Sequence, residues 1–572
     1  MSADENPVDA IPASAEYFYL GEHSRTITTS NHDAQIWFDR GLNWAFGFNH
    51  AEASRCFEQV TLHDPDCAIG YWGVAYAGGP NYNKVWKAFD QQDLAISLPR
   101  CRAFARKALD KRHLASEAEQ ALIDAIQVRF PEGQNPSDAE FLACSAAYAD
   151  AMREVLRKSA QDDLDILALV SDALMNMAPW SLYESRTGKP NLATPVLEIE
   201  KILDRAISLP RADSHPGLLH LYIHLKEMSM TPEAAIPAAD NLRRLVTDSG
   251  HLQHMPSHID VLVGDYRSAI AANARAIQYD AKYYEKQDFP FYRIYQLHDH
   301  HSLIYAAMLA GRRAIALDAT DRMEAILTEA LLRMTSPPMA EWCESFNAVR
   351  VHVMIRFGMW EEIKTLALPT DQELYCVTIA NIHYGKAIAY AATNDLPHAE
   401  EERNNFHKAL TKVPNTRLSF PNRVVDILKV AHAMLGGEME YRRGNFDEAF
   451  AHLRTAVKCD DALNYGEPWG WMLPTRHALG ALLLEHGKVE EAARVYGEDL
   501  ALIEGLPSAH QHPNNVWALH GYHECLVRLG RTAEAHIIGQ ALKIALASAD
   551  ITITSSCFCR LEQTKSDSHC KC

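Results

Sequence analysis

The sequence predicts an all-α solenoid built from stacked helical hairpins. One pattern recurs along the chain: an apolar helical stretch, a glycine or asparagine, then a short segment in which alanine neighbours small or acidic residues. From Gly264 onward these turns are 36 residues (Gly358 to Asn394) to 50 residues (Asn394 to Gly444) apart, which leaves room for two helices per repeat. No segment sustains the alternation of apolar and polar residues that a strand shows.

Each turn has a local physical reason. Glycine and asparagine accept the left-handed conformation that ends a helix, and the small alanine that follows lets the second helix pack closely. Neither helix can bury its apolar face alone, so the hairpins are predicted to stack around one continuous core. In chain order the turns fall at or near Asn49, Gly264, Gly311, Gly358, Asn394, Gly444, Gly487 and Gly530.

Three segments are predicted from these patterns. Residues 1–30 form an N-terminal arm, residues 31–548 the helical repeat array, and residues 549–572 a cysteine-rich, disordered tail. Within the array, the stretch from Asp172 to Pro195 interrupts the helical pattern. It predicts an irregular loop positioned to lie across a groove.

Composition limits the function classes. With 74 acidic and 55 basic residues, the net charge of −19 argues against nucleic acid or an anionic membrane surface as partners. We expect no transmembrane helix and no secretory signal, because no long apolar run occurs. Most of the 12 cysteines are scattered like the reduced thiols of a cytoplasmic protein. The tail holds two C-x-C pairs that either expose free thiols or bind a soft metal ion: Cys557, Cys559, Cys570 and Cys572.

Histidines crowd three neighbouring helical segments. Nine of them fall between His215 and His301, a window in which the chain average of 28 in 572 predicts about four. His220 and His224 are four residues apart in HLYIHLKE, so a helix places both imidazoles on one face. Glu227 follows on the same face and is predicted to be a metal ligand or a proton acceptor.

The second segment, HLQHMPSH, repeats this arrangement. His254 and His258 are four residues apart, and His251 precedes His254 by three. Pro256 lies between them, where it either occupies the first turn of a helix or kinks one.

The third segment, HDHHSL, places two more histidines three residues apart. First helices of successive hairpins lie side by side at about 8–10 Å, so imidazoles from the three segments are predicted to converge on one groove. Neutral imidazoles there would hold one or two ions at about 2.0–2.2 Å from each nitrogen. The predicted ligands are His220, His224, His251, His254, His258, His298 and His301.

An all-nitrogen site with a nearby carboxylate suits a transition metal. We favour iron or copper for oxygen or redox chemistry, with manganese or zinc as alternatives. A small organic substrate is expected beside the ion, walled by Trp180, Tyr183 and Tyr305, with His383 also facing the groove. The chain contains no HExxH motif, P-loop, dinucleotide-binding glycine motif or serine elbow.

Six motifs carry a resemblance to a known family. HPGLLHLYIHLKEMS, GHLQHMPSHI, RGLNWAFGFNHAEASRCF, DPDCAIGYWGVAYAGGPNYN, ALMNMAPWSLY and FGMWEEI together resemble a family of tetratricopeptide-repeat proteins from bacteria and filamentous fungi, over about residues 20–545. The resemblance implies a tetratricopeptide-like fold, for which we predict a right-handed superhelix. Fungal relatives accompany natural-product biosynthetic genes, which implies enzymatic work in secondary metabolism and other biosynthetic proteins as partners. Asp299 departs from the family's H-N-x-H-F pattern, although His298 and His301 keep its spacing.

Two functions remain open from the sequence. The first is a metal-dependent oxidoreductase, an oxidase or oxygenase acting on a small molecule in the groove, with metal-assisted hydrolysis or lyase chemistry next. The second is a non-catalytic scaffold whose groove mediates protein–protein interaction. Peptide-binding grooves of this kind usually present lysine, arginine and asparagine, whereas this one presents imidazoles and tyrosines. The difference favours the enzyme.

Overall fold

The computed structural model describes residues 9–133, 135–287 and 289–560, which are mostly helical. The predicted all-α fold class is confirmed, and successive helices pack against one another as hairpins. Within the described ranges the one sheet is an antiparallel pair of two-residue strands, β1 (Leu418–Ser419) and β2 (Asn422–Arg423). None of the described helices combines the length and apolar character needed to cross a bilayer.

The helices follow one another along the chain, and the connections between them vary in length. The first fourteen are α1 (His32–Phe46), α2 (His50–His63), α3 (Ala68–Gly78), α4 (Gln91–Asp110), α5 (Glu117–Ile126), α6 (Asp138–Lys158), α7 (Leu164–Met175), α8 (Val196–Ile207), α9 (Pro216–Lys226), α10 (Ile236–Leu242), α11 (Gly250–His254), α12 (Pro256–Leu262), α13 (Tyr266–Tyr284) and α14 (Arg293–Leu309). The remainder are α15 (Arg313–Ile326), α16 (Glu329–Leu332), α17 (Met339–Cys343), α18 (Val349–Arg356), α19 (Trp360–Lys364), α20 (Cys376–Ala392), α21 (Leu396–Leu410), α22 (Val424–Arg442), α23 (Phe446–Asp460), α24 (Thr475–Glu485), α25 (Val489–Asp499), α26 (Val516–Arg528) and α27 (Thr532–Ser548).

The predicted turns adopt the left-handed conformation that their residue types favour. Asn394 has a φ of 66°, and six glycines have φ values from 63° to 83°. At the first hairpin Phe48 takes this conformation instead, with a φ of 55°. Asn49 then caps α2, its side chain accepting a hydrogen bond from the Glu52 amide at 3.2 Å. The six glycines are Gly264, Gly311, Gly358, Gly444, Gly487 and Gly530.

The chain divides into two compact units. Unit 1 comprises Met1–Glu184, Lys189–Ile259 and Arg275–Gln296, and unit 2 comprises Ser185–Gly188, Asp260–Ala274 and Leu297–Cys572. Each unit has its own core of fully buried large side chains. These include Trp44, Trp72, Tyr82 and Phe57 in unit 1, and Trp471, Trp517, Tyr384 and Phe406 in unit 2.

Helix α9 is a central element of unit 1. It contacts α1, α7, α8 and α10, and all eleven of its residues are buried. The helix begins with Pro216 at its first position, and the His215 ring accepts a hydrogen bond from the Leu218 amide at 3.1 Å. At Gly217 a Cβ atom would lie 2.5 Å from the Phe46 ring, so glycine is needed for the close approach of α1. This packing holds the side chains of α9 in a water-excluded interior.

Two connections differ from a regular hairpin. The segment with His251 and His258 is broken into α11 and α12, because proline at the first position of α12 cannot continue the preceding helix. The predicted loop between Asp172 and Pro195 is irregular only after α7 ends at Met175.

The segment after α27 is the first half of the predicted cysteine-rich tail. Residues 549–560 are placed by the structure, and Ile553, Ser555, Ser556 and Cys559 are buried. Cys557 and Cys559 form a disulfide, whereas Cys570 and Cys572 lie outside the described residues. Residues 9–30, within the predicted arm, contain no helix or strand.

Candidate metal centre

His220 lies on α9, and only one of its two ring nitrogens has a hydrogen-bond partner among the described residues. Its Nδ1 is 2.6 Å from the carbonyl oxygen of Phe46 at the end of α1. A carbonyl can only accept, so Nδ1 carries the proton and Nε2 keeps its lone pair. That Nε2 is buried and has no hydrogen-bond partner among the described residues. The hydrogen bond therefore fixes both the orientation and the tautomer of the His220 ring, with Nε2 available to bind a metal ion.

His224 repeats the arrangement one helical turn later, with a carboxylate as the partner. Its Nδ1 donates to Oε1 of Glu227 at 2.9 Å, and its buried Nε2 has no hydrogen-bond partner in the described part of the chain. The His220 and His224 rings are 4.8 Å apart, as the spacing of four residues predicts. An imidazole that donates Nδ1–H to a carboxylate is the usual form of a metal-ligating histidine.

His251 on α11 completes a group of three. Neither of its ring nitrogens finds a hydrogen-bond partner among the residues described, and the side chain is 1% exposed. Its ring is 4.9 Å from that of His220. One nitrogen from each of His220, His224 and His251 lies within 4.8 Å of the other two, which is close enough for one ion to bind all three after small side-chain adjustments.

An aromatic shell surrounds these rings. Phe48 lies 4.4 Å from His220, 5.8 Å from His224 and 5.5 Å from His251. Tyr82 lies 4.8 Å from His224, and Tyr295 lies 4.9 Å from His251. The left-handed backbone at Phe48 is rare for a bulky residue and directs the α1–α2 turn over the histidines.

A second group shares His224 with the first. It consists of His224, Glu227 and His258, with one ligand atom of each within 4.8 Å of the others. Oε2 of Glu227 accepts from Nδ1 of His258 at 2.5 Å, and Nε2 of His258 is 2.7 Å from Nε2 of His254. Glu227 thus accepts one imidazole proton on each oxygen, which fixes the orientation of His224 and His258.

Burial keeps these imidazoles neutral. Desolvation lowers the pKa of His224 to about 3 and that of His258 to about 4, even though Glu227 opposes the shift at His258. The pKa values of His220 and His251 also fall well below their usual range because of burial. Neutral imidazole is the form that binds metal ions, so no proton competes for these nitrogens at pH 7.

A separate group, His23, Asp165 and His215, is less suited to an ion. Both imidazoles contact Oδ1 of Asp165 through Nε2, at 3.0 Å and 3.2 Å. Because Nδ1 of His215 accepts from an amide, its Nε2 must carry the proton. Arg25 also donates to Asp165 at 3.1 Å, which places a positive charge where a cation would bind. We interpret this group as a structural hydrogen-bond network.

The other predicted ligands on α14 belong to unit 2. His298 is partly buried and His301 is buried. The His301 ring lies 5.1 Å from Phe346, and burial lowers its pKa to about 3.

The predicted substrate residues lie in different surroundings. The Trp180 amide donates to the hydroxyl of Tyr82 at 3.0 Å. The Tyr82 ring in turn contacts the His224 ring, so Tyr82 links Trp180 to His224. The Tyr183 hydroxyl donates to Glu200 at 2.7 Å. In unit 2, the Tyr305 hydroxyl pairs with Nε2 of His512 at 2.9 Å, and His383 pairs with Glu402 at 2.6 Å.

Sequence reasoning missed the residues that surround the three histidines. Phe46 and Phe48 belong to the motif AFGFNH, which predicted only a hairpin turn. Tyr82 belongs to DPDCAIGYWGVAYAGGPNYN, which contributed only to the family resemblance, and Tyr295 carried no signal. The positive φ at a phenylalanine is the one local feature that marks this region, and it is visible only in the structure.

Comparisons with known proteins add no function. No protein-family model matches the sequence, and no curated protein matches it. Among solved structures, yeast Tom70 shares 13% identity over 90% of this chain and 89% of its own, with a TM-score of 0.25. The structure of Naa15/Naa10 bound to HypK shares 14% identity over 90% of this chain and 70% of its own, with a TM-score of 0.21. The P58(IPK) TPR domain shares 12% identity over 80% of this chain and 99% of its own, with a TM-score of 0.19. These TM-scores are too low to establish a shared fold, so the fold class is assigned from the helices of this structure.

Proposed function

We propose that unit 1 binds a transition-metal ion between His220, His224 and His251 and uses it to oxidise or oxygenate a small organic substrate. The observation that carries the proposal is the group of buried, unpaired imidazole nitrogens within 4.8 Å of one another. A buried polar atom without a partner costs about 1–3 kcal/mol, and folded proteins retain few of them. Several such nitrogen atoms close together therefore support a ligand that they share.

The partners of the opposite ring nitrogens support the same assignment. His220 is anchored by a main-chain carbonyl and His224 by Glu227, so two of the three ligands are oriented before any ion binds. Such outer hydrogen bonds set the tautomer and raise the basicity of the ligating nitrogen. We assign Glu227 this positioning role, because each of its oxygens already accepts an imidazole proton.

The ligand count supports a reactive site. Three histidines leave coordination positions for water and substrate, whereas structural ions are usually enclosed by four protein ligands. Imidazole nitrogen suits copper, iron and zinc, and we favour iron or copper because a redox-active ion would supply oxidation chemistry. Phe48, Tyr82 and Tyr295 provide an apolar surface that suits an uncharged, aromatic or aliphatic substrate.

The first experiment measures metal content. The full chain is purified without a histidine tag or chelator and analysed by mass spectrometry for iron, copper, manganese and zinc. We expect near-stoichiometric metal in the wild type and its loss in His220→Ala, His224→Ala and His251→Ala. His398→Ala is the matched control, because His398 is an exposed histidine on α21. A metal-free wild type that also fails to take up added Co²⁺, Cu²⁺ or Zn²⁺ would refute the proposal.

The second experiment asks whether the ion has an open position. Co²⁺ is added to metal-depleted protein, and its visible absorption is recorded with and without azide. A spectrum that shifts with azide indicates a position open to small molecules, as an oxidase or oxygenase requires. A bound ion whose spectrum is insensitive to azide would retain metal binding and contradict the enzymatic part of the proposal.

A further inference from the structure

Residues 549–560 form an extended segment that lies within unit 2. The segment has no helix or strand, and its one internal main-chain hydrogen bond among these residues runs from the Arg560 amide to the Cys557 carbonyl at 3.2 Å. Ile553, Ser555, Ser556 and Cys559 are nevertheless buried. Its conformation is therefore imposed by the helices that surround it.

The start of the segment caps a helix. The Asp550 carboxylate accepts from the Arg313 and Ala314 amides at 2.7 Å and 3.0 Å, in the first turn of α15. The Asp550 amide in turn donates to the Gly311 carbonyl at 3.2 Å. A carboxylate at this position satisfies otherwise unpaired amides and interacts favourably with the helix dipole.

The middle of the segment is held through one serine. The Ser556 hydroxyl donates to the His477 carbonyl at 2.9 Å and contacts the Tyr496 hydroxyl at 2.5 Å. The buried guanidinium of Arg356 donates to the Ser556 carbonyl at 3.2 Å. Residues of three different helices, α18, α24 and α25, thus form hydrogen bonds with Ser556.

The end of the segment is held by an aromatic contact and an ion pair. Phe558 packs edge-on against Trp517 at 5.8 Å and against Gly358, where a Cβ atom would lie 2.9 Å from it. Arg560 donates to both carboxylate oxygens of Glu524, at 2.7 Å and 3.0 Å. Arg442 donates to the Cys559 carbonyl.

A cavity continues beyond the segment. Its walls include Tyr384, Met434 and Glu438 from the helices, Trp471 from the connection before α24, and Cys557 from the segment. The groove is therefore larger than the segment that occupies it. The remaining surface is mainly apolar and also carries the Glu438 carboxylate and the Arg356 guanidinium.

We propose that this groove of unit 2 is a peptide-binding site whose ligand in the present structure is the chain's own segment 549–560. The groove recognises an extended peptide with the pattern Asp-x5-Ser-x-Phe-x-Arg, which matches Asp550, Ser556, Phe558 and Arg560. The groove contacts these four residues through a helix end, polar side chains and an aromatic face. A separate peptide with the same residues could make the same contacts. The tethered segment acts as a competitor, because its effective concentration is about millimolar. The proposal is independent of the metal centre in unit 1.

The test uses a fluorescein-labelled peptide of residues 549–560 with serine in place of both cysteines, and measures its binding to the full chain by anisotropy. The protein variant is Phe558→Asp with Arg560→Glu, which removes two anchors from the tethered segment. We expect the variant to bind the peptide at least about tenfold more tightly than the wild type. Equal binding by a variant whose circular dichroism and thermal unfolding match the wild type would overturn the proposal.

A charge exchange tests the assigned contact. Glu524→Arg is added to a second variant, in which Phe558→Asp is combined with Arg560→Ala so that the tethered segment cannot pair with the new arginine. It is expected to weaken binding of the peptide and to restore binding of a peptide carrying Arg560→Glu. Hydrogen exchange on the unaltered chain provides a measurement that does not depend on variant folding. Amides of residues 549–560 should exchange faster when excess peptide displaces the segment, and an unchanged rate would contradict the proposal.

Discussion

Replacing Glu227 by glutamine tests how the proposed metal ligands are oriented. The change keeps the shape of the side chain but converts one of two acceptor oxygens into a donor. In the wild type both oxygens accept imidazole protons, from His224 at 2.9 Å and from His258 at 2.5 Å. Glutamine can accept from only one of them, so the other imidazole must change its tautomer or rotate.

The expected effect on metal binding follows from this geometry. Loss of an outer hydrogen bond to a ligating histidine typically lowers metal affinity by about 10- to 100-fold. That range corresponds to about 1.4–2.7 kcal/mol of binding free energy. We expect Glu227→Gln to fall within it, because His220 and His251 do not contact Glu227 through a described hydrogen bond and retain their positions.

The assay is a competition titration with Zn²⁺ and a chromophoric chelator, run on the metal-depleted full chain. Glu344→Gln is the matched control. Glu344 is also fully buried and also accepts several hydrogen bonds, from the Val377 amide and from Thr378, but it lies in unit 2. The control should lose stability and keep its zinc affinity. Zinc affinity of Glu227→Gln within twofold of the wild type would refute the assigned role of this carboxylate.

Two further predictions concern stability. Burial lowers the pKa of His352 to about 4 from 6.5, so unfolding takes up protons and stability falls as pH drops from about 6.5 towards 4. His352→Phe should therefore reduce the loss of unfolding free energy between pH 7 and pH 5 by about 2 kcal/mol, measured with urea; an unchanged pH dependence would contradict a buried, neutral imidazole. Gly21→Ala should lower the unfolding free energy by about 2 kcal/mol or more, because φ is 80° and a Cβ atom would lie 2.3 Å from the Leu245 carbonyl oxygen. Gly133→Ala is its control, with a φ of 88° and no atom of the described residues within 4 Å of the added Cβ. Equal losses of unfolding free energy for the two variants would contradict the steric argument.

Much of the fold could be predicted from local chemistry. The glycines and Asn394 adopt positive φ at the turns where a helix must end, because that preference belongs to the residue and not to its surroundings. The pairing of His220 with His224 on one face follows from helix geometry alone. The break before Pro256 follows from the missing amide proton of proline, although the sequence left a kink as an alternative.

The environment of the histidines was beyond local reasoning. His220 is anchored by a carbonyl 174 residues earlier in the chain, and Phe48 covers all three rings from the same distant hairpin. The docking of residues 549–560 likewise depends on contacts with helices far away in the sequence, such as Arg313, which is 237 residues from Asp550. Composition alone predicted a disordered tail, because the segment has no helical or strand pattern of its own.

The fold class, the positions of the turns and the set of imidazoles available to a metal site follow from the amino-acid sequence alone. These follow from backbone preferences and helical periodicity, which act over a few residues. The tertiary structure determines which imidazole nitrogens have hydrogen-bond partners and which have none among the described residues. It also decided that Glu227 binds two imidazoles and that burial holds His224 neutral. Hydrogen-bond partners and desolvation depend on groups that come together only when distant helices pack.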